Sequence, residues 1–330
     1  MKRMLTKRQN LLETVRGGNP DRFVDQYEAF AFVLNDAKAL KYPGPKPGET
    51  RVDGWGVTKS WPPNVPGPFP VHDAAHIVCK DLADWKEYVH APETVYPPEA
   101  WEEAVKTAES IDRNEQFVTA FVAPGVFEQC HYLLEIQNCM MGFYEEPEAM
   151  HELVDYITDF EIRYAEQICK YIKPDALFHH DDWGTQRSTF MSPDTFEEYY
   201  LPAYKKIYGF YKENGVELVV HHSDSYAATL VPFMIDMGID IWQGVMESND
   251  LPKLIKEYGP QITFMGGINS ADVDFEGSTQ EVIRGVVERA IQEGSKHSFI
   301  PCCTMGGPGS IYPGVYDMVS AEIARINENF

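Results

Sequence analysis

Short apolar runs alternate with longer amphipathic stretches along most of this chain. The runs fall at 116–122, 176–179, 216–222, 239–245, 262–267 and 298–303, and 23–33 reads as an earlier one. They are short and rich in β-branched or aromatic residues, so each predicts a strand. The stretches between them have helical length; those at 148–172 (opened by Glu145-Glu146-Pro147) and 193–214 are the clearest. Strands separated by helices predict right-handed βαβ units and a parallel sheet. Seven or eight such units favour closure into a (β/α)8 barrel over an open sheet.

Two segments break the rhythm. Residues 1–22 read as a helical extension with Leu5, Leu11, Leu12 and Val15 as its apolar positions, ended by Gly17-Gly18 and Pro20. Residues 42–70 are rich in proline and glycine and carry Trp55 and Trp61, so regular structure is not expected there. A long ordered loop in a compact domain is usually functional, and this one is a candidate cover for the barrel mouth.

Closure into a barrel gives the polar residues at the run ends a meaning, because such folds gather their chemistry at the C-terminal ends of the strands. The ends read Cys130-His131 after Ala123-Pro124-Gly125, His179-His180-Asp181-Asp182-Trp183-Gly184, His221-His222-Ser223-Asp224, Gln243 with Met246-Glu247, Asn269-Ser270, and Cys302-Cys303. Zinc accepts imidazole, carboxylate and thiolate ligands and keeps one position open in catalytic sites. His222, Asp224, Glu247 and one of Cys302 and Cys303 could converge as such a set; adjacent cysteines point to opposite faces of a strand, so only one ligates. The alternative is that the histidines are hydrogen-bonded core residues and the cysteines small buried hydrophobes. His180, Asp181 and Asp182 are candidates for acid–base work. His179, Trp183, Gln186 and Tyr312 are candidates for substrate contact. Gly306-Gly307-Pro308-Gly309-Ser310 has no lysine after it and reads as a turn, not a phosphate cradle.

Bulk properties narrow the partners. With 330 residues and 44% hydrophobic composition the chain can fill one large core, so a single domain is expected. The 51 acidic against 28 basic residues, a formal charge of -23, disfavour nucleic acid and anionic membrane surfaces. Six cysteines without framework spacing suit a reducing cytoplasm. No apolar stretch approaches the roughly 20 residues of a membrane span or forms a signal-peptide core.

The run from Leu5-Thr6-Lys7-Arg8-Gln9-Asn10-Leu11-Leu12 through Gly17-Gly18-Asn19-Pro20-Asp21-Arg22 resembles the start of the uroporphyrinogen decarboxylase superfamily. So do Asp181-Asp182-Trp183-Gly184-Thr185-Gln186, Met191-Ser192-Pro193, His222-Ser223-Asp224 and Gly266-Gly267-Ile268-Asn269, in the expected order over nearly the whole chain. The resemblance implies a TIM-like barrel. True decarboxylases of the superfamily hold a tetrapyrrole with paired arginines near the N-terminus, whereas here Phe23-Val24-Asp25-Gln26-Tyr27-Glu28 lacks them. The chain is closer to the corrinoid-dependent methyltransferase branch, which binds zinc through a His-x-Cys pair and a distant Cys. Asp224 stands where that pattern has its first cysteine, and Cys302 or Cys303 takes the distant position. An oxygen ligand leaves a more Lewis-acidic zinc, suited to an ether oxygen rather than a thiol. The resemblance therefore implies transfer of a methyl group from a methoxylated, aromatic compound to a separate corrinoid protein, with a homodimer as the assembly left open. The competing expectations are methyl transfer from a corrinoid to a thiol or pterin, decarboxylation, and a non-catalytic tetrapyrrole or corrinoid carrier.

Overall fold

The computed structural model describes residues 4–63, 65, 67–308 and 310–330; Asn64 and Pro66 of the proline-rich loop, Gly309 of the glycine-rich turn and the first three residues of the N-terminal extension lie outside them. Among the described residues ten strands form two sheets. The first sheet holds β1 (Phe30–Val33), β5 (Phe117–Val122), β6 (Ala176–His180), β7 (Leu218–His222), β8 (Ile241–Val245), β9 (Thr263–Ile268) and β10 (Phe299–Cys303), all parallel and hydrogen-bonded in that order. The second, β2 (Thr50–Val52), β3 (Thr58–Ser60) and β4 (Phe69–Pro70), is antiparallel.

The parallel sheet curls into a TIM-like barrel. Phe30, Phe117, Phe178, Val220, Ile241, Met265, Ile300 and Cys302 all pack into one interior cluster, so both edge strands contribute to it. The alternating residues Val118, Leu177, Val219, Trp242 and Cys303 pack outward, into the layer under the helices. That parity decides which side chains reach the mouth. Seven strands, not eight, carry the ladder, and among the described residues β1 and β10 do not pair. The irregular segment ahead of β1 adjoins β10 instead, where the Tyr27 hydroxyl donates to the Gly306 carbonyl at 3.4 Å.

Several expected elements are shorter than their patterns. The first strand begins only at Phe30 because Gln26 turns the chain with φ 47°. The N-terminal helix is Lys7–Val15, opened by a capping box between Thr6 and Gln9, and Leu11 and Val15 plug the N-terminal end of the barrel. The 193–214 stretch splits into Pro193–Tyr199 and Leu201–Glu213, the second opening on Pro202. The proline-rich loop holds the β2–β4 sheet, contrary to the expectation of no regular structure. Asp53 nucleates its hairpin, since Oδ1 accepts from the backbone of Trp55 at 2.9 Å and of Val57 at 3.0 Å, and Trp55 then packs edge-on against Phe160. Among the described residues no helix is long and apolar enough to cross a membrane.

Candidate metal centre

Two neighbouring strands end in the same pair of residues. β6 closes on Phe178-His179-His180 and β7 on Val220-His221-His222, and the ladder aligns His179 with His221 and His180 with His222. His180 and His222 share the inward parity of Phe178 and Val220; their rings stack with centroids 4.4 Å apart. The chain leaves β6 so that Asp182 returns to the same point. One ligand atom from each of His180, Asp182 and His222 lies within 4.8 Å of the other two. Asp224, two residues past His222, adds Oδ2 at 3.9 Å from His222 Nε2, the same separation as Asp182 Oδ1. The Asp182 carboxylate also accepts from the backbone N–H of Asp224 at 2.9 Å, which ties the two strand exits together.

The two imidazoles are held with one nitrogen each toward this point. Gln243, aligned with His222 on β8, donates from Nε2 to the Cys303 carbonyl at 3.2 Å, so its Oε1 faces His222 and accepts from Nδ1–H. His222 Nε2 is then a free lone pair. Burial, followed by the charge on His180, lowers the His222 pKa to about 4, so the ring is neutral and able to ligate. His180 is held the same way by a carboxylate: Nδ1 stands 3.0 Å from Glu128 Oε2 on the helix Val126–Leu134. Burial alone would lower its pKa, but Glu128, Asp182 and Asp224 carry it up to about 10. Asp224 is pushed up to about 8 by burial and then by Asp182. Crowded carboxylates against a captive imidazolium have the electrostatics of a site that gains by receiving a cation. Two imidazole nitrogens and two carboxylates suit zinc or another borderline divalent ion, and Gln243 and Glu128 supply the outer hydrogen bonds that orient such ligands.

Two glycines allow this convergence. Gly244 has φ 98°, and a Cβ there would stand 2.7 Å from the Ser223 carbonyl oxygen, where β8 bulges beneath the exit of β7. Gly125 donates its N–H to the His180 carbonyl at 2.8 Å, and a Cβ would meet the Asp181 side chain at 2.6 Å.

The cysteines and Glu247 do not join this centre. Cys303 points outward into the layer under the helices. Cys302 points inward, but three strands from His222; its thiol faces Tyr27 and Gln243, and burial, then Cys303, holds its pKa well above the ordinary value. Glu247 is exposed in a short turn and lines a separate surface cleft beside Arg289. Of the residues expected to hold zinc, the structure thus brings His222 and Asp224 together, joined by His180 and Asp182, and places Glu247 and the two cysteines apart from them.

Other candidates separate by the same parity. Asp182 and His180, expected as acid–base residues, are in the centre. Asp181 is fully buried behind it and accepts from the backbone N–H of Phe127 at 2.9 Å and of Glu128 at 2.8 Å, and from the Tyr204 hydroxyl. It fixes the start of the helix that presents Glu128. His179 and Trp183, expected to touch substrate, also face outward. His221 donates from Nε2 to the Asp181 carbonyl at 3.1 Å, Tyr208 donates to His221 Nδ1 at 2.9 Å, and His179 Nδ1 donates to Tyr208 at 2.8 Å. His179 Nε2 then stands 3.1 Å from Glu161 Oε2 without the alignment of a hydrogen bond. Trp183 stacks on His221 at 3.8 Å and donates to Tyr204 at 3.2 Å. Gln186 and Tyr312 are exposed at the rim. Cys130 and His131 belong to the helix after β5 and not to a strand end. Glu128 had no sequence signal. The in-register His-His pairs did, as the repeated ending of two consecutive runs.

A solved methyltransferase from Methanosarcina mazei superposes with a TM-score of 0.69 over 98% of this chain and 99% of its own, at 15% identity. At that identity the likeness concerns the fold. The chain is 31% identical over 106 residues to the uroporphyrinogen decarboxylase of Carboxydothermus hydrogenoformans, a match spanning 32% of this chain and 28% of that protein's length. The model of the family described as uroporphyrinogen decarboxylase (URO-D) matches residues 76–310, which contain every residue of the centre, and the chain belongs to that family.

Proposed function

We propose that the protein is a zinc-dependent methyltransferase that moves a methyl group from a methoxylated aromatic compound to the cobalt of a separate corrinoid protein. The observation that carries this reading is a centre of nitrogen and oxygen donors alone, at the C-terminal mouth of the barrel, with the Cys303 thiol turned outward and the Cys302 thiol facing Tyr27 and Gln243. His180, Asp182, His222 and Asp224 would hold the ion. The chemistry it supplies when bound is Lewis acidity toward an ether oxygen, which stabilises a departing phenolate. A thiolate-rich set would instead suit activation of a thiol, so the donor set favours demethylation over the opposite half-reaction.

The chain's own residues prepare the mouth for this. Gln243 fixes the His222 tautomer and Glu128 fixes the His180 ring, so neither imidazole has to reorient. Phe32, Phe121 and Phe178 form an aromatic wall beside them: Phe121 stacks on Phe178 at 5.7 Å, and Phe178 on His222 at 6.1 Å. Such a wall would seat an aromatic ring and keep water from the reacting oxygen. The β2–β4 sheet would form one side of the approach.

The test is to load the protein with zinc, add cob(I)alamin and a panel of methoxyaromatics, and follow methylcobalamin by absorbance and the freed phenol by chromatography. Stoichiometric phenol and methylcobalamin, lost in His222→Ala, are expected. Zinc-loaded protein that demethylates none of the panel, or that releases carbon dioxide from a tetrapyrrole acetate, would refute the reading.

A further inference from the structure

A cavity of about 440 Å³ lies between the β2–β4 sheet, the helix Pro147–Tyr171 and the C-terminal ends of β1 and β5, within the size range of small-ligand sites. Trp55, Phe160 and Tyr164 form its apolar walls, and Phe121 also lines it. Lys38 enters from the helix Ala37–Lys41, with Nζ 5.0 Å from the Tyr164 ring centre and 5.8 Å from that of Phe160.

Lys38 stands out among the cavity's three cations because the other two are paired with carboxylates. Lys59 lies 3.1 Å from Asp53, and Arg51 2.9 Å from Glu49. Asp36 accepts from the Tyr164 hydroxyl and from the backbone of Lys38 and Ala39, and Glu161 faces His179 with its Oε1 left without a hydrogen bond. Among the described residues no carboxylate comes within 4.0 Å of Lys38 Nζ. Burial pulls its pKa down, and Asp36 and Glu161 only partly oppose this. The Lys38 ammonium is only partly exposed and has no carboxylate in contact, so an anion arriving beside it would gain a charge-assisted hydrogen bond. On a chain of net charge -23, such a spot is an exception to the prevailing field.

We propose that this cavity binds the carboxylate end of a small aromatic acid, with Lys38 as counter-ion and the aromatic walls clamping the ring. Phe121 stacks on Phe178 and Phe178 on His222, so one aromatic side chain separates this part of the cavity lining from the metal centre. A methoxy group on the far side of the acid's ring would point toward that centre; only this last step rests on the methyl-transfer reading.

Calorimetric titration of the full chain with 4-methoxybenzoate and with its neutral isostere 4-methoxybenzamide tests the proposal without any turnover. The acid should bind at least about tenfold more tightly than the amide, as expected for a hydrogen bond to a charged group. Lys38→Met should bring the acid down to the amide's affinity and leave the amide within about twofold. Equal binding of acid and amide to the unaltered protein, no binding of the acid, or full acid affinity in Lys38→Met would overturn it. Acid binding through Lys38 without demethylation would keep this inference and remove the methyl-transfer reading; demethylation of neutral methoxyaromatics with no acid binding would do the reverse.

Discussion

Replacing Gln243 by leucine should damage the metal centre without touching any of its ligands. Gln243 is fully buried, and its amide makes two directed bonds, accepting from His222 Nδ1–H and donating to the Cys303 carbonyl. Leucine fills a similar volume but leaves both partners unpaired. A buried group without its partner costs about 1–3 kcal/mol, partly offset here by the more apolar side chain, so the metal-free protein should lose about 2–4 kcal/mol. His222 also loses the contact that selects its tautomer. Outer-shell partners of this kind are worth about 10–100-fold in metal affinity, or about 1.4–2.7 kcal/mol. Competition against a chromogenic chelator measures the zinc affinity, and calorimetric unfolding with and without zinc measures the stability. Gln243→Glu separates the two effects: it keeps an acceptor for His222 and loses only the donor to Cys303, so zinc affinity should be retained while stability falls. If Gln243→Leu bound zinc within threefold of the unaltered protein, the role given to Gln243 would be wrong.

Cys302→Ser and Glu247→Gln should leave zinc content unchanged, whereas His180→Ala should lose it; metal analysis after dialysis checks this, and loss of zinc in either of the first two would reinstate the thiol or Glu247 as a ligand. Asp181→Ala should cost about 3 kcal/mol in denaturant unfolding, because three buried donors lose their acceptor, and a stability change below about 1 kcal/mol would contradict its capping role. Glu322 is nearly buried; burial acts to raise its pKa, but Arg284, Arg325 and Gln280 prevail and hold it down to about 2. A depressed folded pKa contributes stability above the unfolded value of about 4.3 that disappears as pH falls toward 2. Glu322→Gln should therefore unfold about 1–2 kcal/mol more easily at pH 7, the arginines being half exposed, and about equally at pH 2. A difference independent of pH would sink that assignment.

Much of the fold was readable because the apolar runs of a parallel barrel are continuous and their spacing is helical. All seven strands of the barrel coincide with predicted runs, and the long helix Pro147–Tyr171 lies within a residue of its pattern. The hairpin in the proline-rich loop was not readable, because it depends on one aspartate, Asp53, bonding locally and on Trp55 finding Phe160 across the chain. At the site, strand-end reasoning identified the residues that reach the mouth but not those that meet there. Meeting depends on sheet order: β6 and β7 are neighbours, so His180 and His222 stack, whereas β7 and β10 are separated by two strands, and at about 4.8 Å per step Cys302 is out of reach along the sheet. The period of two also separates His179, Asp181 and Trp183 from the centre, although each adjoins a residue that belongs to it. Glu128 and Lys38 sit in helices whose placement only the packed fold supplies.

The zinc K-edge absorption spectrum of the loaded protein reads which atoms hold the ion. Nitrogen and oxygen scatterers alone are expected around the ion, at about 2.0–2.2 Å, with imidazole scattering from two histidines. A sulfur scatterer at about 2.3 Å would contradict it, because one of the β10 cysteines would then have to reach the ion and the oxygen-activating character of the centre would be lost.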